Sequence, residues 1–178
     1  QAGLFGGPLF TLLKALTAVK LAERVAREHD TPAVAVFWID AEDHDWEEVR
    51  SCAVLDDMLA PRAVALPPRA AGDQGSVARV TLDESVTAAI DELRSALPAT
   101  EFHDALLDQL SSAYRPGRGM ADAFARWLEQ VLGGRGLVVY DCSDPAAKTL
   151  AAGVFARELA TAGETSRMVA SAGEALKA

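Results

Sequence analysis

Residues Ala35-Val36-Phe37-Trp38-Ile39 form a short apolar run with no helical period, and within three residues the chain turns into four successive ionisable side chains, Glu42-Asp43-His44-Asp45. The run is rich in β-branched and aromatic residues and follows Thr31-Pro32, which favours a buried strand at about 33 to 40 over a helix. Ligands of open α/β sheets bind outside the carboxyl ends of the strands, where this charged cluster falls.

A second segment repeats the pattern. Leu137 to Tyr140 reads as another buried parallel-type strand, ends in Asp141-Cys142-Ser143-Asp144-Pro145, and leads into a helix from about Pro145 to Ala160. Right-handed crossovers place two such loops on the same edge of a parallel sheet. Between and before them lie helices expected at Leu9 to His29, at about Asp83 to Leu97, from Thr100 (as N-cap) to about Tyr114, and from Met120 to Leu132. A short extended pair is expected at about 51 to 56 and 62 to 67, an exposed loop at Arg69 to Ser76, an edge strand at Val77 to Thr81, and a final helix from about Thr165. Phe102, Leu106, Leu107 and Leu110 are expected on one buried face, and Trp38 and Trp127 in the core.

The chain opens without Met on Gln1-Ala2-Gly3-Leu4-Phe5-Gly6-Gly7-Pro8, a glycine-rich turn before a long helix. A domain rarely begins on the loop that follows a strand, so a first strand is expected to precede Gln1. Such a turn can cradle an anion on backbone amides, or it can be a tight connection that needs glycine. It matches neither the Gly-x-Gly-x-x-Gly dinucleotide fingerprint nor the P-loop pattern.

Half of the 178 residues are apolar and 24% are charged, the composition of a globular domain. A net charge of -9, with no run among the 17 basic residues, argues against nonspecific binding to nucleic acid or to an anionic membrane. The two cysteines, Cys52 and Cys142, make no disulfide framework, and a reducing cytoplasm is the expected setting. Cys142 reads as a structural cysteine, and His29 and His103 as surface residues without ligand partners.

Glu42, Asp43, His44 and Asp45 suit a general base with an orienting carboxylate, or metal ligation, although consecutive residues point in different directions and only two of them can face one ligand. The competing structural reading is that Asp43 or Asp45 caps the following helix. Ser143-Asp144-Pro145 is likewise either a polar loop at a strand end or an ordinary helix start. Trp46 packs over a ligand or anchors the loop.

Together these strings resemble the bacillithiol-biosynthesis cysteine-adding enzymes, the BshC family. The resemblance rests on the Gln1 to Thr11 opening with Lys14 and Lys20-Leu21-Ala22, on Val36 to Ile39 leading into Glu42-Asp43-His44-Asp45, on Tyr114-Arg115-Pro116-Gly117, and on Leu137 to Leu150 with Ser143-Asp144-Pro145 and Lys148. It implies an α/β, Rossmann-like parallel sheet, a core like that of class I aminoacyl-tRNA synthetases and nucleotidyltransferases, with a helical insertion. The implied division is 1–60 for the first part of that core, 61–135 for a connective region, 136–162 for a core strand and helix, and 163–178 for the start of a helical region. It further implies a cytoplasmic ligase that joins the carboxylate of L-cysteine to the amine of glucosaminyl-malate, with ATP as the expected activator. No metal, nucleic acid or membrane is called for, and a coiled-coil arm makes the full-length protein a homodimer. Full family members are expected to be about three times as long, so this chain alone is expected to be inactive. Carried over to this sequence, His44, Asp43 and Asp45 are the catalytic candidates. Gln1, Gly3, Gly6, Gly7, Glu42, Ser143 and Asp144 are the substrate- or nucleotide-binding ones. Readings from other classes are a noncatalytic nucleotide- or sugar-phosphate-binding module and a metal-dependent hydrolase.

Overall fold

The computed structural model describes residues 1–70 and 75–177. The chain divides into two units, Gln1–Cys142 and Ser143–Ala178. The first carries α1 (Leu9–His29), β1 (Ala35–Ile39), α2 (Trp46–Val49), β2 (Ser51–Leu55), β3 (Pro61–Ala65), α3 (Ser85–Ala96), α4 (His103–Ala113), α5 (Met120–Leu132) and β4 (Leu137–Asp141). The second is one long helix, α6 (Pro145–Ala175).

β1 and β4 pair in parallel, with Ala35 opposite Leu137 and Ile39 opposite Asp141, although about a hundred residues separate them in sequence. Helices α1 and α5 pack against this pair. The inward side carries Ala35, Phe37, Ile39 and Leu137, and the Phe37 ring lies 5.9 Å from that of Phe124 on α5. α5 is the central helix of the unit. Met120, Phe124, Trp127 and Leu128 recur at helical spacing and are all buried, and the helix touches α4, β4, the N-terminal turn and the 77–79 segment.

The opposite side of the sheet departs from the sequence reading. Trp38, expected in the core, is 63% exposed, and Val36 and Val138 are each 50% exposed. Strand alternation puts these residues on the face away from α5, where Trp38 meets Tyr140 edge-on with ring centroids 4.6 Å apart. The strand is therefore buried on one face only.

β2 and β3 form an antiparallel hairpin whose turn is organised by Asp56, with its Oδ1 accepting from the N–H groups of Met58 and Ala60. Val77–Arg79 is a single 3-10 turn rather than an edge strand, followed by one isolated bridge from Thr81 to Gly119. The Val80 carbonyl accepts from Met120 N–H and the Leu82 carbonyl from Gly117 N–H. Pairing with this irregular segment satisfies the backbone without building a ladder.

α4 begins at His103, three residues after the expected cap. The Thr100 carbonyl, not its side chain, accepts from His103 N–H, and Phe102 is left 69% exposed outside the helix. The exposed loop expected at 69–76 lies partly outside the described residues, at 71–74. Among the described residues no helix is long and apolar enough to cross a membrane.

Within the second unit, Asp144 caps α6 by accepting from Ala146 N–H, and Pro145 occupies the first turn. Two helices were expected here; one continuous helix is found. Gly153, Gly163 and Gly173 do not break it, because each glycine costs only about 1 kcal/mol in a helix and no proline follows Pro145.

Candidate functional site

The ends of β1 and β4 leave the sheet side by side, and Cys142 N–H donates to the Ile39 carbonyl at 3.4 Å. The loop after β1 is held from below. Val77 N–H donates to the Asp43 carbonyl at 2.7 Å and Ala78 N–H to the Ala41 carbonyl at 2.8 Å. Trp46 is buried, donates its indole N–H to the Pro67 carbonyl at 3.0 Å, and carries the Arg69 guanidinium 5.3 Å from its ring centre. Of the two readings of Trp46, the anchoring one describes these contacts.

The four ionisable side chains divide their work as consecutive residues must. Asp45 accepts from Glu48 N–H at 3.0 Å and caps α2. Asp43 turns the other way: its Oδ1 accepts from Asp45 N–H at 3.1 Å, and its Oδ2 accepts from the Gln1 side-chain amide at 2.6 Å. These bonds, the Gln1 amide first, hold the Asp43 carboxyl below the usual carboxylate range. His44 projects into solvent with its side chain 79% exposed and Nδ1 3.7 Å from Asp43 Oδ1. Glu42 is exposed beside it.

The Gln1 to Asp43 bond joins the glycine-rich opening to the acidic loop, two stretches 42 residues apart. A depressed carboxyl pKa means that this clasp is complete above the ordinary Asp value and is lost as pH falls through the lower, folded value. The Gln1 side-chain amide resonances are expected to follow that titration with a midpoint below 3.8, the unperturbed Asp value. A midpoint at or above it in a pH series followed by NMR removes the clasp.

The opening turn is pinned by a residue whose partners lie far from it along the chain. Tyr114 is completely buried at the end of α4; its hydroxyl donates to the Gly3 carbonyl at 2.9 Å and accepts from Gly6 N–H at 3.1 Å. Burial raises the phenol well above its ordinary pKa, so it stays protonated and keeps both bonds. Phe5 lies edge-on to the Tyr114 ring at 5.3 Å and takes the left-handed conformation at φ 50°. Gly7 N–H donates to the Leu4 carbonyl at 2.9 Å. The amides of Gly6 and Gly7 are thus engaged within the unit. Tyr114→Phe leaves a buried carbonyl and amide without their hydroxyl partner and is expected to destabilise the chain by about 2 kcal/mol, read by urea denaturation. A loss below about 0.5 kcal/mol would mean that the hydroxyl does not hold the turn.

The structure therefore joins Gln1 to Asp43 on the loop that also carries Glu42, His44 and Asp45, while Gly3 and Gly6 are held by Tyr114. Ser143 and Asp144 belong to the second unit, where Asp144 is the cap of α6. Among the described residues no group of three or more His, Cys, Asp or Glu side chains converges on a point where a metal ion could sit.

Comparison with known proteins matches all of residues 1–178 to the family described as "Bacillithiol biosynthesis BshC, N-terminal Rossmann-like domain". The "Putative cysteine ligase BshC" of Salinibacter ruber is 35% identical over 178 residues, covering 99% of this chain and 32% of that protein. Proteins of the same name from Chlorobaculum tepidum and Symbiobacterium thermophilum are 38% and 36% identical over 170 residues, covering 91% and 89% of this chain. The chain spans 29% of the first and 30% of the second, so it corresponds to about a third of the curated relatives' length. With a match along its whole length, a parallel strand pair between helices and a polar loop at the carboxyl end of each strand, the chain belongs to the BshC family, as its N-terminal Rossmann-like domain.

Proposed function

We propose that the protein of which this domain is part is a ligase that joins the carboxylate of L-cysteine to the amine of glucosaminyl-malate, making an amide and completing bacillithiol. The observation that carries the reading is the clasp between Gln1 and Asp43, because it gathers the two stretches that resemble the family into one place. His44 is the general base. Exposed at the loop tip, it takes the proton that the substrate ammonium must lose before its nitrogen can attack an acyl carbon. Asp43, fixed by two hydrogen bonds, orients the imidazole. Glu42 adds negative charge that attracts the ammonium, and Asp45 sets the loop's exit by capping α2. Gly3, Gly6 and Gly7 shape the wall.

A triphosphate does not suit this loop. The loop carries three carboxylates, and the amides of Gly6 and Gly7 already have partners, so no step here is assigned to ATP. The test uses the full-length protein with L-cysteine and glucosaminyl-malate, with and without ATP, followed by mass spectrometry. An amide product containing both substrates is the expected result, and its dependence on ATP identifies the activator. Absence of product in both arms, with nucleotide binding retained, overturns the ligase reading in favour of a noncatalytic binding module.

A further inference from the structure

We propose that the hollow at the start of α5, walled by the guanidinium groups of Arg115, Arg118 and Arg126, is a binding site for a small oxyanion carrying at least two negative charges, phosphoryl or carboxylate. The hollow measures about 380 Å³ and is lined by residues 115–119 together with Asp122 and Arg126. A neighbouring hollow of about 310 Å³ shares Arg118 and Arg126 with it.

Three features make this more than a charged surface. Arg118 is a fixed wall: its side chain is only 11% exposed, and Nη1 donates to the carbonyls of Ser112 and Ala113, each at 2.7 Å, closing the end of α4. A guanidinium held in this way meets a ligand without losing side-chain freedom. The local charge is unbalanced. Asp122 is shared between Arg118 at 3.4 Å and Arg126 at 2.9 Å, while the Arg115 guanidinium has no ion-pair or hydrogen-bond partner among the described residues. Even with Glu129 at the rim, three positive charges face two negative ones in a chain whose net charge is -9. Finally, burial and then the charges of Arg115 and Arg126 lower the Arg118 pKa, a sign of like charges held together. A doubly charged oxyanion relieves that repulsion, and guanidinium forks match the oxygen spacing of phosphate and carboxylate alike. The site does not depend on the ligase reading.

The test is a titration of the ¹⁵N-labelled chain with inorganic phosphate, pyrophosphate and succinate at pH 7.5, holding ionic strength constant with sodium chloride. Saturable amide shifts confined to residues 115–126 are expected, with half-saturation at or below about 1 mM for at least one probe. Arg115→Gln is expected to raise the half-saturating concentration about fivefold or more, and Arg115→Lys to restore part of the affinity. Arg115 and Arg126 are exposed, so Arg115→Gln and Arg126→Gln leave the fold intact, and unchanged melting temperatures check this. Saturation by the phosphates alone identifies a phosphoryl ligand; saturation by succinate alone identifies a carboxylate. Shifts that grow linearly, that sodium chloride reproduces, or that persist unchanged in both Gln variants overturn the proposal.

Discussion

Gly6→Ala lowers the stability of the chain by on the order of 3 kcal/mol, the largest effect expected of any single added methyl group in the opening turn. Gly6 has φ +95°, a region that a side chain enters only at a cost, and its missing Cβ would lie 2.4 and 2.5 Å from two ring atoms of Trp127. Trp127 cannot withdraw, because it is buried on the central helix among Phe124, Leu128 and the sheet. Nor can the turn retreat, since Gly6 N–H is bonded to the Tyr114 hydroxyl and the Gly3 carbonyl. Overlap and backbone strain therefore add. Equilibrium denaturation followed by tryptophan fluorescence measures the loss; stability within 1 kcal/mol of wild type would show that the turn has room the geometry denies.

His44→Ala leaves the domain as stable as wild type and reduces amide formation by the full-length enzyme roughly 10²- to 10⁴-fold, the range typical of a positioned acid or base. The two halves of this prediction separate catalysis from structure. The imidazole is 79% exposed and buries little, so its removal does not disturb packing. Asp43→Asn is expected to show a smaller loss together with a changed pH profile, because the amide keeps the turn's shape and removes the charge that orients His44. Full activity in His44→Ala would mean that the base lies elsewhere. Equal losses of melting temperature and activity would mean that the loop is structural.

Much of this arrangement is legible in the sequence, and what is hidden has a physical reason. α1 begins and ends at the expected residues because Pro8 opens it and an amphipathic period runs unbroken to His29. β1 and β4 are visible as apolar runs ending in polar loops, and their parallel pairing follows from the helices between them. Their exposure is not visible: a run such as Val36-Phe37-Trp38 reads as buried on both sides, while the structure covers only the side of Phe37. The charged cluster announces a site, yet four adjacent symbols cannot reveal that Asp45 faces α2, Asp43 faces Gln1 and His44 faces solvent. The 77–81 segment looks like a strand because Val77 and Val80 are apolar; its backbone partners are a loop, and a single bridge results. The pinning role of Tyr114 is hidden because both residues that define it lie more than a hundred positions away. The arginines at 115, 118 and 126 never form a run, and only the turn before α5 brings them together.

The Tyr114 hydroxyl also bears on the order in which the chain folds. Its two bonds span 108 and 111 residues, and the parallel pairing of Ala35 with Leu137 closes a loop of similar length. Contacts of such long range form only after their loop-closure entropy has been overcome, so the opening turn acquires its shape late, once α4 and α5 have docked. The reverse holds for unfolding. A local opening that releases the α4 end frees Gly3 and Gly6 in the same event, so hydrogen exchange at Gly6 should report the integrity of α4, not merely fraying of the N-terminus.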